Sequence, residues 1–520
     1  MLSSDLLAGA RLLTRLPGFL ARPVDVGRAR PELRRRLGQR EATFVDLVRR
    51  TIYARPAGPY AQLLRHAGCQ PRDFEELVCA RGVEGALGTL LAAGVYLTTA
   101  ECRGSRPVRR GSLVFDVDPR RLANPLVRWD VPMRTGGSRS EGLPVGWNLG
   151  FVRDRAVNLC LTELARGPAR RRHAIWTAPG SGAIVHLLDI CARGSGPARW
   201  FSPVDWTAPE VAMRYRVSVH LVRSGARLGR RWLPVPEHAP ALAPDSIVDW
   251  MASVLREGAI PQLHGRPSAV LRTCEAAAKR GVDLAGAEVL VDGEPITAGR
   301  SAAMRRAGLR VLPRYATVEV GLVGEACLEP QGSDDMHVMH DLVAVIQPDA
   351  TRMTQDLPSD ALLISSLRPA APLVLLNASM GDTGILDGRS CGCPVGAEGW
   401  PTRLRGILRL AGTEGHGVSP SSADMARVLD ETLPARFGGG PGDYQIVEAE
   451  RPDGSRRLRL LVHPGVGQLD PQAVAAVFVS ASGAGLTTNL VTVERRAPMA
   501  TTFGKVLHTH RTRDEIDRPS

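Results

Sequence analysis

Thr135-Gly136-Gly137-Ser138-Arg139-Ser140-Glu141-Gly142 follows an extended-looking run over residues 126–133, and the fold is read outward from this stretch. Three glycines and two serines in eight residues let backbone N–H groups close around an anion, while the hydroxyls add donors without bulk. That is the chemistry of a phosphate cradle. The stretch lacks the Gly-Lys-Ser/Thr ending of a Walker loop, which disfavours an ordinary P-loop nucleotidase. Taken alone, a plain turn explains it equally well.

Upstream, residues 1–40 are rich in arginine, with Arg34-Arg35-Arg36, and read as a surface helix and linker. Within them, leucines over 6–20 interleave with Arg11 and Arg15; a packed amphipathic helix is the preferred reading, a membrane-surface helix the other. Phe44, Leu47, Val48, Leu63, Leu64, Leu87, Leu90 and Leu91 recur at helical spacing, broken at Pro56, Pro59 and Pro71, so residues 1–110 form a mainly helical lead-in. Downstream, short apolar runs alternate with helical patterns from 150 to 312, which predicts an α/β region with largely parallel strands. Gly293-Glu294-Pro295 follows one such strand, where open α/β sheets bind ligands, although a capped strand-to-helix turn fits as well. Residues 337–346 alternate as a strand does. After about residue 410 the pattern is that of a small α+β domain, with strands at 458–462 and 490–493 and helices at 422–429 and 471–478.

A chain of 520 residues with 39 prolines is too long for one core. Formal charge is +13, yet Lys279 and Lys505 are the only lysines, leaving 64 of the 66 basic residues as arginine. Acidic residues are scattered among the arginines, and no basic helix with interleaved aromatics stands out, so nucleic-acid binding is not expected. The nine cysteines are dispersed apart from Cys391-Gly392-Cys393, with no cleavable signal before them, which predicts a reducing cytoplasm. No run of eighteen apolar residues occurs, so no transmembrane segment is expected.

The loop at 135–142, Gly293-Glu294-Pro295, Tyr315-x-x-x-Glu319, Gly381-Asp382, Arg405 and Gly504-Lys505 stand in an order that resembles the core motifs of the adenylate-forming superfamily. Within it the chain is most similar to the phenylacetate-CoA ligase and acyl-protein synthetase branch, over roughly residues 40–515. The resemblance implies an α/β fold with a large multi-subdomain N-terminal adenylation domain (1–405) and a small mobile α+β C-terminal domain (406–520). It also implies an acid–thiol ligase: a carboxylic acid attacks the α-phosphate of ATP, and the acyl-AMP is then transferred, most simply to coenzyme A. The acceptor could instead be an amine or a carrier protein, and a weakened nucleotide-binding partner protein is a third reading. By the same resemblance Thr135, Gly137, Ser138 and Ser140 cradle phosphates, with Gly293, Glu294 and Pro295 beside the nucleotide. Tyr315 stacks on adenine, Glu319 holds Mg²⁺ and Asp382 accepts the ribose hydroxyls. Arg405 contacts ribose or phosphate near the hinge, with Arg403 and Arg409 as neighbours in an uncertain register, and Lys505 is the catalytic lysine. The family's threonine before the glutamate is Val318 here, which would cost one hydroxyl at the phosphate site.

Cys327, His337, Cys391 and Cys393 supply the three thiolates and one imidazole of a closed tetrahedral zinc site, which some members of that branch carry. His340 competes with His337 but falls on the opposite face of the expected strand. The acid is not specified by the sequence. A pocket wall between Trp176 and Trp206, including Trp200 and Phe201, hints at a ring or a long acyl chain, and core packing explains these aromatics at least as well.

Overall fold

The computed structural model describes residues 2–135, 143–209, 211–349, 357–388, 391–410, 422–450, 456–482, 487–499 and 506–513. Its centre is a twelve-stranded mixed sheet. Six strands run parallel, in the order Pro236–His238, Pro197–Ser202, Arg171–Trp176, Ile260–Gly265, Glu288–Val291 and Arg310–Thr317. Helices including Ser181–Ala192, Asp245–Arg256, Pro267–Lys279 and Ala298–Arg306 make the crossovers. Every residue of Glu288–Val291 is buried, as expected of a strand covered on both faces.

After Arg310–Thr317 the sheet changes character. Only residues 318–320 connect it to Gly321–Ala326, too few for a crossover, so the pair is antiparallel. The turn closes on Gly321 at φ +77°, where a Cβ would lie 2.8 Å from the Phe151 ring. Antiparallel pairing then continues through Met336–Val338, Arg403–Arg409, Ala378–Asp387, Ala361–Ser366 and Val343–Ile346. The expected single strand over 337–346 is therefore two strands, Met336–Val338 and Val343–Ile346, which pair with different neighbours.

The arginine-rich start is not a linker. Helix Leu2–Leu20 buries Leu12, Leu16 and Phe19, and Arg15 pairs with buried Asp130 at 2.7 Å, in line with a packed amphipathic helix. Helix Val26–Gly38 carries Arg36 inward to Asp154 (3.1 Å) and Asp341 (3.3 Å), leaving it 4% exposed. Among the described residues no helix is long and apolar enough to cross a membrane.

Residues 422–513 form a separate four-stranded sheet, ordered Val491–Arg495, Arg456–Val462, Tyr444–Glu450, Thr509–Arg513. Val428, Leu429, Tyr444, Leu460, Val474 and Phe478 build its own core. The sequence pattern foreshadowed two of these strands and both helices; Tyr444–Glu450 and Thr509–Arg513 had no clear alternation to reveal them.

Candidate nucleotide site

Thr135 sits at the tip of a two-stranded hairpin, Val131–Arg134 with Pro144–Trp147. Its N–H donates to the Leu143 carbonyl (3.0 Å), and its Oγ1 accepts from the Leu143 N–H (3.0 Å), closing the neck of the loop. Gly137, Ser138 and Ser140 lie outside the described residues. The Trp147 indole Nε1 at the hairpin base donates to the carbonyl of Val318 (2.8 Å), so the hairpin is tied to the turn that carries Glu319.

That turn, where parallel pairing gives way to antiparallel, lies at the carboxyl end of strand Arg310–Thr317, the end at which open α/β sheets bind ligands. Burial, helped by the nearby Asp382 charge, holds the Glu319 carboxyl above the usual carboxylate range against an opposing hydrogen bond from Thr317. The hydroxyl that Val318 cannot supply is thus present one residue earlier. A carboxyl raised by burial and served by a hydroxyl is suited to a hard cation, whose charge would favour its ionised form.

Asp382 reaches the same region from strand Ala378–Asp387, after Gly381 at φ +84°. Tyr315 Oη donates to Asp382 Oδ2 (2.8 Å), and Arg409 NH1 lies 3.5 Å from Oδ1. Burial first, then the Asp382 charge, pushes the Tyr315 phenol far above its ordinary value, so it remains a donor. Of the three neighbouring arginines, Arg409 is the one at Asp382. Arg405 lies opposite Ile385, and Arg403 pairs with buried Asp335.

Gly293 adopts φ +78° just beyond strand Glu288–Val291, and Pro295 follows the inward-turned Glu294. The Glu294 carboxylate is occupied by protein donors: Ser268 N–H (3.0 Å), Ser268 Oγ (2.9 Å), Arg300 (3.3 Å) and the Val506 N–H (3.0 Å). Thr297 caps helix Ala298–Arg306 and also donates to Asp430 (2.8 Å). Asp430 further meets Arg300 Nε (2.9 Å) and His508 Nε2 (2.6 Å). Burial would raise its carboxyl, but the Arg300 and His508 charges outweigh that and hold it well below the usual range. These contacts seat residues 506–508 against the Gly293 loop. Lys505 itself lies outside the described residues.

The four residues of the expected metal cluster are brought together, with one ligand atom of each within 4.8 Å of the others. Cys327 Sγ lies 3.5 Å from Cys391 Sγ and 3.7 Å from Cys393 Sγ, and His337 Nε2 lies 3.1 Å from Cys393 Sγ. Sulfur atoms bound at about 2.3 Å to a tetrahedral zinc would stand about 3.8 Å apart, so the thiol spacing fits that ion. His337 Nδ1 lies 2.6 Å from the Trp400 carbonyl; with the proton there, Nε2 presents a lone pair. Burial raises the Cys393 thiol, but N–H groups of Gly396 and Leu328 outweigh it and hold the thiol below its ordinary value. His340 is not in the cluster and faces Glu84 at 3.7 Å.

Trp176, Trp200 and Phe201 are core residues, 4%, 0% and 1% exposed, so they do not form an open pocket wall. The polar groups that do face a cavity, His186, Asp189 and His264, were not flagged by the sequence, because they come from different elements and share no local motif.

No protein-family model matches the sequence, and no curated protein matches it. Solved structures do share its fold. A 2-hydroxyisobutyryl-CoA ligase in the postadenylation state, in complex with 2-HIB-AMP, is 14% identical with a TM-score of 0.55, covering 92% of this chain and 90% of that one. The same ligase in complex with R3-HIB-AMP is also 14% identical, with a TM-score of 0.52 and the same coverage. The architecture of this chain is therefore that of the adenylate-forming ligases.

Proposed function

We propose that this protein activates a carboxylic acid with ATP as an acyl-AMP and passes the acyl group to a thiol, with coenzyme A the favoured acceptor, in the manner of the phenylacetate-CoA ligase branch. The observation that carries the reading is the convergence of Tyr315, Glu319 and Asp382 at the carboxyl end of strand Arg310–Thr317, with the Thr135 hairpin tied to the same turn. Asp382, oriented by Tyr315, accepts the two ribose hydroxyls, for which a carboxylate has one oxygen each. Arg409 takes the place beside the ribose that the motif order gave to Arg405. The loop after Thr135 and the backbone at Gly293-Glu294-Pro295 flank the phosphates and the base, while the Glu294 side chain serves the protein.

Glu319 and the Thr317 hydroxyl would hold Mg²⁺, which when bound neutralises phosphate charge. Lys505 takes its role, beside the reacting groups, from the motif order, and its described neighbour Val506 donates its N–H to Glu294. An ammonium there stabilises charge on the attacking carboxylate and the α-phosphate. We further propose that residues 406–520 act as a mobile C-terminal domain that withdraws Lys505 before thiol attack, and that Cys327, His337, Cys391 and Cys393 hold a structural zinc.

The test is ATP–pyrophosphate exchange over a panel of aliphatic, hydroxylated and aromatic acids, followed by mass spectrometry for thioester when coenzyme A is added. Exchange that depends on one class of acid, with thioester formed, is the expected result. Exchange without thioester would move the acceptor to an amine or carrier protein, and no exchange with any acid would overturn the reading.

A further inference from the structure

A small cavity lies between helix Ser181–Ala192 and the parallel sheet, toward the carboxyl ends of strands Ile260–Gly265 and Glu288–Val291. Its free volume of about 20 Å³ is room for one water-sized group. His186 lines it from the helix and His264 from one strand, Asp292 stands beside them just past the other strand, and one ligand atom of each of the three lies within 4.8 Å of the others. His264 Nε2 is 2.9 Å from Asp292 Oδ2, and the two imidazole rings meet edge to face with centroids 4.1 Å apart.

Two observations count against a closed hydrogen-bonded network. His186 Nδ1 is buried with no hydrogen-bond partner. Asp189, three residues further along the same helix, has both carboxylate oxygens buried without a hydrogen bond, although Arg155 NH2 approaches one to 3.1 Å. Buried polar atoms in native proteins are nearly always satisfied, so the His186 Nδ1 atom, open toward the cavity, marks room for a bound group. The group is small, because the cavity is small.

Charge and donor chemistry narrow it further. The two arginines that line the cavity have carboxylate partners, Arg193 with Glu163 and Arg314 with Glu325, whereas Asp292 is matched with a histidine. Two imidazoles and one carboxylate suit a divalent first-row transition ion better than Mg²⁺ or Ca²⁺, which prefer oxygen alone.

We propose that His186, His264 and Asp292 form a second metal site, for a divalent transition metal with two nitrogen ligands and one oxygen ligand. Asp189 stands where it accepts from a metal-bound water in the cavity. The ion joins helix Ser181–Ala192 to the two strand ends directly beneath Gly293 and stiffens the floor of the ligand crevice. This site depends neither on the proposed ligase activity nor on the cysteine cluster.

Cobalt titration of metal-free wild-type protein separates the two centres without any substitution. One equivalent bound through thiolates gives an intense near-ultraviolet sulfur-to-cobalt band, while a site of two nitrogens and one oxygen adds only weak visible bands. Two tight equivalents with those two signatures are expected. In zinc-reconstituted protein dialysed against a weak chelator, wild type should retain two zinc ions per chain, and Asp292→Asn and His264→Gln one each. A single zinc with only the sulfur signature, or an unchanged count in Asp292→Asn, overturns the proposal. A single zinc lost in Asp292→Asn but kept in Cys393→Ser supports this site and removes the cysteine one instead.

Discussion

The nucleotide face and the junction with the C-terminal region use the same residue types to opposite ends. At the face, Asp382 meets a phenol and an arginine that is largely open to solvent, with side-chain exposures of 15% and 57% for the Asp382–Arg409 pair. At the junction, Arg300 and Asp430 are 1% and 0% exposed, and Glu294 is bonded by three separate segments. The Asp382 pair is thus partly open to solvent, and the carboxylates at the junction are closed off from it. Motif order alone assigns Glu294 and Asp382 to one ligand; the partners of Glu294 set it apart as a bolt between segments of the protein.

The largest effect should come from breaking the bolt. Asp430→Ala leaves Arg300 buried beside Glu294 alone, and the loss of one partner from a buried ion pair costs about 3 kcal/mol or more, to be read as a lowered midpoint in chemical denaturation. If stability is unchanged, the junction is no more than a surface contact. Lys505→Ala and Lys505→Arg come next: each should lower acyl-AMP formation roughly a hundredfold, about 2.7 kcal/mol, with denaturation midpoints unaltered. Transfer from supplied acyl-AMP to the thiol should fall much less. Asp382→Asn should raise the KM for ATP about tenfold, near the worth of one charged hydrogen bond, and leave stability within measurement because Arg409 is solvated. Equal losses of stability for Asp382→Asn and Asp430→Ala would erase the contrast.

The smallest effect is in pH. The Asp430 carboxyl is held below the usual range by Arg300 and His508, so its contribution is complete above its unfolded value of about 4 and fades as pH falls toward the folded one. Asp430→Asn should flatten that acid limb of the stability curve.

How much of this was legible depends on how local each signal is. Cys391-Gly392-Cys393 advertises its chemistry because two ligands sit on one turn, and the alternation over 150–312 announces a parallel sheet because strand and helix periods differ. Arg36 misled, since a run of arginines reads as surface until Asp154 and Asp341 are seen closing over it. Arg409 and Arg405 share a strand with Gly406 at φ +64° between them, and only the pairing register tells which one faces Asp382. The hydroxyl that bonds Glu319 comes from Thr317, one residue before the position the motif order points to. His186, His264 and Asp292 span three elements and more than a hundred residues, so nothing short of the sheet topology brings them together.

Strand Met336–Val338 is hydrogen-bonded on one edge to Gly321–Ala326, which leaves the Glu319 turn, and on the other to Arg403–Arg409, which leads toward the C-terminal region. His337 in its middle reaches the cysteine cluster. The strand is thus a keystone, held along both edges by its neighbours and pinned at its centre by the His337–Cys393 contact.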